Sequence, residues 1–113
     1  MIAACIEDAD ACVLSAATLF ESSIVLSVVR FAQVDGNAWL DGLIVRQDIK
    51  IEPVTEMQAQ IARKAFREYG KGTGHPAQLN FGDCFSYALA KAMDVPLLYK
   101  GTDFAKTDIA SAL

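Results

Sequence analysis

The chain has 113 residues, 53% of them hydrophobic, and a formal net charge of −4. That length suits one small domain with one core, and the apolar content excludes a disordered chain. The acidic balance argues against a simple basic nucleic-acid binder, and no apolar run is long enough to span a bilayer, since Leu19 to Val29 is short and contains Glu21.

Residues 1–6 are apolar but lack a basic start, and Glu7, Asp8 and Asp10 follow at once. No signal peptide is expected, so the chain reads as cytoplasmic. Ala11-Cys12-Val13-Leu14 is a short apolar run suited to a buried strand. Ser15 then offers an N-cap, and a helix is predicted from about Ala16 to Phe31. Gln33 to Asn37 contains Asp-Gly and reads as a turn. Ala38 to Arg46 has helical spacing through Trp39, Leu40, Leu43 and Ile44. Ile49, Ile51 and Val54 surround Pro53 in a second strand.

Thr55 is the next N-cap candidate, opening a helix whose apolar stripe is Met57, Ile61, Ala65 and Phe66 and which ends near Gly70. Lys71-Gly72-Thr73-Gly74-His75-Pro76 reads as a flexible loop that leaves His75 with nothing to fix it. It follows a helix and lacks the full spacing of a phosphate loop. A strongly apolar helix then runs to about Met93, with Phe81, Cys84, Phe85, Ala88, Leu89 and Ala92 as its core face. Asp94-Val95-Pro96 is a turn, Leu97-Leu98-Tyr99 a third strand, and Gly101 to Asp108 a polar loop. Strands alternating with helices predict an α/β domain with a short parallel sheet.

Four carboxylates stand out. Asp83 lies in the first turn of the apolar helix, on one face with Asn80 and Tyr87. Two readings fit it: an acid favoured by the helix dipole, or one paired with a cation because of the apolar stripe beside it. Glu21 shares its helical face with Ala17, Ile24, Val25 and Val28. It either reaches water from the edge of that stripe or turns to a ligand. Asp103 and Asp108 follow the third strand, where ligand sites of parallel α/β sheets gather, and where turn or cap roles are the alternative. Converging carboxylates with a single histidine in the chain favour Mg²⁺ or Mn²⁺ over zinc.

The charge is unevenly spread. Residues 1–59 hold three basic and nine acidic groups, and residues 60–113 hold seven basic and five acidic. An acidic cluster with a basic rim, Lys64, Arg67 and Lys71 among it, suits a phosphodiester substrate. Ordinary solvated helix surface is the plainer reading of each lysine. Cys5, Cys12 and Cys84 match no zinc spacing and read as buried small hydrophobes.

Leu14-Ser15-Ala16-Ala17-Thr18-Leu19-Phe20-Glu21, then Leu79-Asn80-Phe81-Gly82-Asp83-Cys84-Phe85-Ser86-Tyr87-Ala88-Leu89-Ala90, then Pro96 to Phe104 with Thr107-Asp108 together resemble the PIN-domain family, specifically its VapC-type toxins. The resemblance covers nearly the whole chain. It implies a single PIN-like domain over residues 1–113, a three-layer sandwich, and Mg²⁺-dependent endoribonuclease activity on cellular RNA. It also implies neutralisation by a cognate VapB-like antitoxin, and usually a homodimer. By position, Asp83, Glu21 and Asp103 become catalytic metal ligands, with Asp108 a further candidate.

One departure is expected to matter. Family members open with a central strand ending in Asp followed by Ser or Thr, and Met1 to Asp10 shows no such motif. These residues resemble instead the tail of a helix preceding the Ala11 strand. On this reading the first strand and the helix after it are missing, the sheet is split between the strands near Val13 and Leu98, and activity is impaired. The alternative function is a non-catalytic PIN remnant that binds an antitoxin or a partner protomer.

Overall fold

A computed structural model describes residues 3–5, 12–28, 30–31, 34–95, 97–98 and 107–108. The elements in chain order are β1 (Ala3–Cys5), β2 (Cys12–Ser15), α1 (Ala16–Leu26), β3 (Arg30–Phe31), β4 (Val34–Asp35), α2 (Gly36–Arg46), β5 (Ile49–Glu52), α3 (Glu56–Tyr69), α4 (Phe81–Met93) and β6 (Leu97–Leu98).

The four helices form where the sequence places them because their first turns are capped. Ser15 accepts from the Ala17 N–H, Asp35 from Asn37, Thr55 from Gln58 and Asn80 from Asp83. These side chains satisfy amide groups that have no partner within the helix. The first helix is shorter than expected. It stops at Leu26, where the Ser27 hydroxyl turns back to the Ile24 carbonyl at 2.6 Å. The Arg30–Phe31 strand then pairs antiparallel with Val34–Asp35.

The main sheet has the order β5-β2-β1-β6. β2 and β5 are parallel, with Leu14 opposite Ile51. β1 runs antiparallel to both β2 and β6, so the three strands anticipated from the sequence point one way and β1 points the other. The parallel β2–β5 pair is the short parallel sheet expected, and β1 adds an antiparallel strand beside it. One expectation is corrected: the sheet is not split between Val13 and Leu98, because Ala3–Cys5 supplies backbone partners to both strands. The physical reason is that two facing strand edges hold unpaired amides and carbonyls, and a short extended segment of either direction can satisfy them.

Successive residues of β2 face opposite layers. Val13 belongs to a cluster with Ala65, Leu79, Cys84, Leu89 and Ala90 from the α3–α4 side. Leu14 packs with Ile49, Leu19 and Ile44 from the α1–α2 side. Helices therefore cover both faces of the sheet, the layered α/β arrangement anticipated. α4 is buried more widely than its stripe suggests: Ser86 through Ala90 are all buried. Phe81, expected in the core, is 77% exposed at the start of the helix. No helix of the described residues is long and apolar enough to cross a membrane.

Candidate metal centre between two helices

α1 and α4 meet in an antiparallel seam that carries the two central acids. Thr18 and Ser86, both buried, share a hydroxyl–hydroxyl hydrogen bond of 3.0 Å across it. One turn further along each helix stand Glu21 and Asp83, three residues from Thr18 and from Ser86 respectively. A single helical turn puts residues three apart on one face, so the buried clasp aligns the acids above it.

Asp83 is the N3 residue of a capping box. Its N–H donates to Asn80 Oδ1 at 2.8 Å, and its Oδ2 accepts from the Asn80 N–H at 3.0 Å. The helix-terminal role weighed from sequence is thus real, and it fixes the carboxylate's orientation. Glu21 comes in from α1. An ideal β-carbon on Gly82 would stand 1.7 Å from its Oε2 and 2.4 Å from its Oε1. The Glu21 carboxylate therefore lies directly on the first turn of α4. Partial burial, then the nearby Asp83 charge, pushes its pKa up from the ordinary 4.5. A second acid on a separate helix thus adds to the cost of ionising Glu21, a cost that a cation beside it would offset.

Three of the apolar residues that share a face with Glu21 lie at the surface. Ile24, Val25 and Val28 are all more than half exposed. The buried anchor of α1 in this seam is Thr18.

Asp108 is held elsewhere. The Tyr87 hydroxyl donates to its Oδ1, and Lys91 Nζ donates to its Oδ2 at 2.9 Å. Burial pushes the Asp108 pKa up, but the Tyr87 hydroxyl and the Lys91 ammonium outweigh that effect and leave it below the ordinary 3.8. Tyr87 is pushed up, by burial first and then by Asp108. Asp103 lies outside the described residues. Among the described residues, no three His, Cys, Asp or Glu side chains gather as a metal cluster. Of the described acids singled out from sequence, Glu21 and Asp83 are the two that lie at the same turn of α4.

Of the basic residues singled out from sequence, Lys64, Arg67 and Lys71 are all exposed. Arg67 lines an apolar groove of about 510 Å³ between α3 and α4, together with Arg63, Phe66, Phe81 and Phe85. His75 is better fixed than its glycine-rich loop suggested. Its Nδ1 accepts the Ala77 N–H at 3.0 Å, and its ring stands edge-on to Tyr69 at 5.0 Å between centroids. Cys84 is buried, as expected, and burial followed by the Asp83 charge raises its pKa to about 11.

Sequence reasoning missed Thr18 and Gly82. A signal existed for each. Thr18 and Ser86 are hydroxyls placed one turn from an acid, and Gly82 is a poor helix former in an otherwise favourable helix.

Residues 2–110 match the family described as PIN domain. The chain is 49% identical over 106 residues to the VapC ribonuclease Mb0625 of Mycobacterium bovis, covering 94% of this chain and 78% of that protein. Ribonuclease VapC28 of Mycobacterium tuberculosis matches with the same identity and coverage. Ribonuclease VapC30 of Mycobacterium tuberculosis is 46% identical over 98 residues, 87% of this chain and 72% of that protein.

Proposed function

The chain belongs to the PIN-domain family, among the VapC-like toxin ribonucleases, and on that premise we propose that Glu21 and Asp83 hold a divalent cation, Mg²⁺ or Mn²⁺, for hydrolysis of RNA phosphodiester bonds. The observation that carries this reading is the approach of the Glu21 carboxylate onto the turn of α4 that bears Asp83. The donor set fits the ion. Magnesium keeps several waters and is bound through one or two carboxylates plus substrate phosphates. A bound divalent cation supplies charge for the phosphoryl oxygens and lowers the pKa of a coordinated water.

The chain's own residues prepare the site. Asn80 orients Asp83 through the capping box, and the Thr18–Ser86 bond holds α1 against α4. Asp103 enters as a third acid on the strength of the family resemblance. Asp108 acts in this reading through Tyr87 and Lys91, by fixing the segment around residues 107–108 to α4. Lys64, Arg67 and Lys71 attract the RNA backbone by charge. The partners are cellular RNA, a VapB-like antitoxin and a second copy of the chain.

A specific observation favours a second reading. The strand between β2 and β6 is Ala-Ala-Cys and brings no carboxylate to that place. A chain with too weak a cluster for turnover still binds an antitoxin or a partner protomer. Cleavage of RNA with added Mg²⁺ or Mn²⁺, assayed beside antitoxin pull-down, separates the two. Metal-dependent cleavage supports the ribonuclease. Antitoxin binding without cleavage supports the binding module.

A further inference from the structure

We propose that Gly82 is a positioning residue for the metal centre: having no β-carbon, it leaves the space in which the Glu21 carboxylate lies beside Asp83. The inference rests on the reading of Glu21 and Asp83 as cation ligands. It is drawn from the seam itself. A β-carbon at position 82 would stand 1.7 Å from Glu21 Oε2, 2.3 Å from Cδ and 2.4 Å from Oε1, closer than any non-bonded contact allows. All three are atoms at the free end of a flexible side chain. An alanine would therefore be accommodated by swinging the carboxylate away, with the fold kept.

The helices cannot easily part to make room instead. The Thr18–Ser86 hydrogen bond, 3% and 4% exposed at its two ends, ties α1 to α4 one turn below. Separating the helices would break that bond in a buried setting. The displacement thus falls on Glu21. Glycine is the poorer helix former, so its presence at the second position of α4 works against the helix and calls for a reason in packing. The approach of Glu21 is that reason.

The test is Mn²⁺ binding to the full chain, followed by calorimetry and by the electron-spin resonance of free Mn²⁺, with a thermal melt of each variant. Gly82→Ala is expected to keep or raise the melting temperature. It is expected to weaken Mn²⁺ by about tenfold to a hundredfold, the range for residues that orient metal ligands. Glu21→Asp in the Gly82→Ala background shortens the acid and should recover part of that loss, although Glu21→Asp alone weakens binding. Gly82→Ala that binds Mn²⁺ like the unaltered chain, while Asp83→Asn does not, overturns the role of Gly82 and leaves the site reading standing. A loss in Gly82→Ala matched by a fall in melting temperature and without rescue also overturns it. Asp83→Asn that binds Mn²⁺ undiminished overturns the site reading itself.

Discussion

Thr18 and Ser86 join α1 to α4 through a buried hydroxyl pair, one helical turn from Glu21 and from Asp83. Each hydroxyl has the other as its partner in a place with little access to water. Ser86→Ala therefore strands the Thr18 hydroxyl and should cost about 1–3 kcal/mol. Thr18→Val combined with Ser86→Ala should cost less than the two single changes added together, since no polar group is left behind. Urea denaturation of the four proteins measures both quantities. Simple additivity would show that the pair does not interact as described.

Asp108 should make the fold sensitive to acid. Its folded pKa lies below 3.8, so its contribution is present above that value and is lost as the pH falls through the folded pKa. The side chain is half exposed, so solvent screening keeps the contribution below about 1 kcal/mol. Asp108→Asn should therefore melt lower than the unaltered chain at neutral pH, with the gap closing as the pH falls through and below the folded pKa. A gap that is constant with pH would assign the loss to packing.

Glu21 should behave in the opposite sense. Its folded pKa is raised above 4.5, so the folded chain holds the proton more readily, and stability without metal declines as the pH rises through and above that value. Glu21→Gln removes this cost. In a chelator at neutral pH it should melt slightly higher than the unaltered chain, by well under ~1 kcal/mol because Glu21 is exposed. The same substitution should abolish the gain in melting temperature that Mn²⁺ gives. A lower melting temperature in chelator would mean that Glu21 serves stability.

Much of this was legible in the residues. Ser15 and Thr55 announced two helix starts because a capping side chain must sit next to the orphan amides it serves. Glu21 and Asp83 were legible as a pair through the family pattern. What the residues hid was non-local. Periodicity placed Phe81 in the core, but its ring lies exposed beside Phe85 at the groove between α3 and α4. Nothing local in Ala3–Cys5 says strand; its pairing depends on the two edges it meets. The Thr18–Ser86 contact joins residues 68 positions apart, and the space above Gly82 belongs to a different helix. Spacing along one element can flag such residues but cannot say which residue of another helix each one meets.

The most direct measurement is metal-dependent RNA cleavage by the full chain and by Asp83→Asn, with Mg²⁺ or Mn²⁺ added. The account predicts cleavage that requires the cation and falls by at least about a hundredfold in the variant, the scale for losing a group that meets the reacting centre. Undiminished cleavage by a folded Asp83→Asn protein would contradict it.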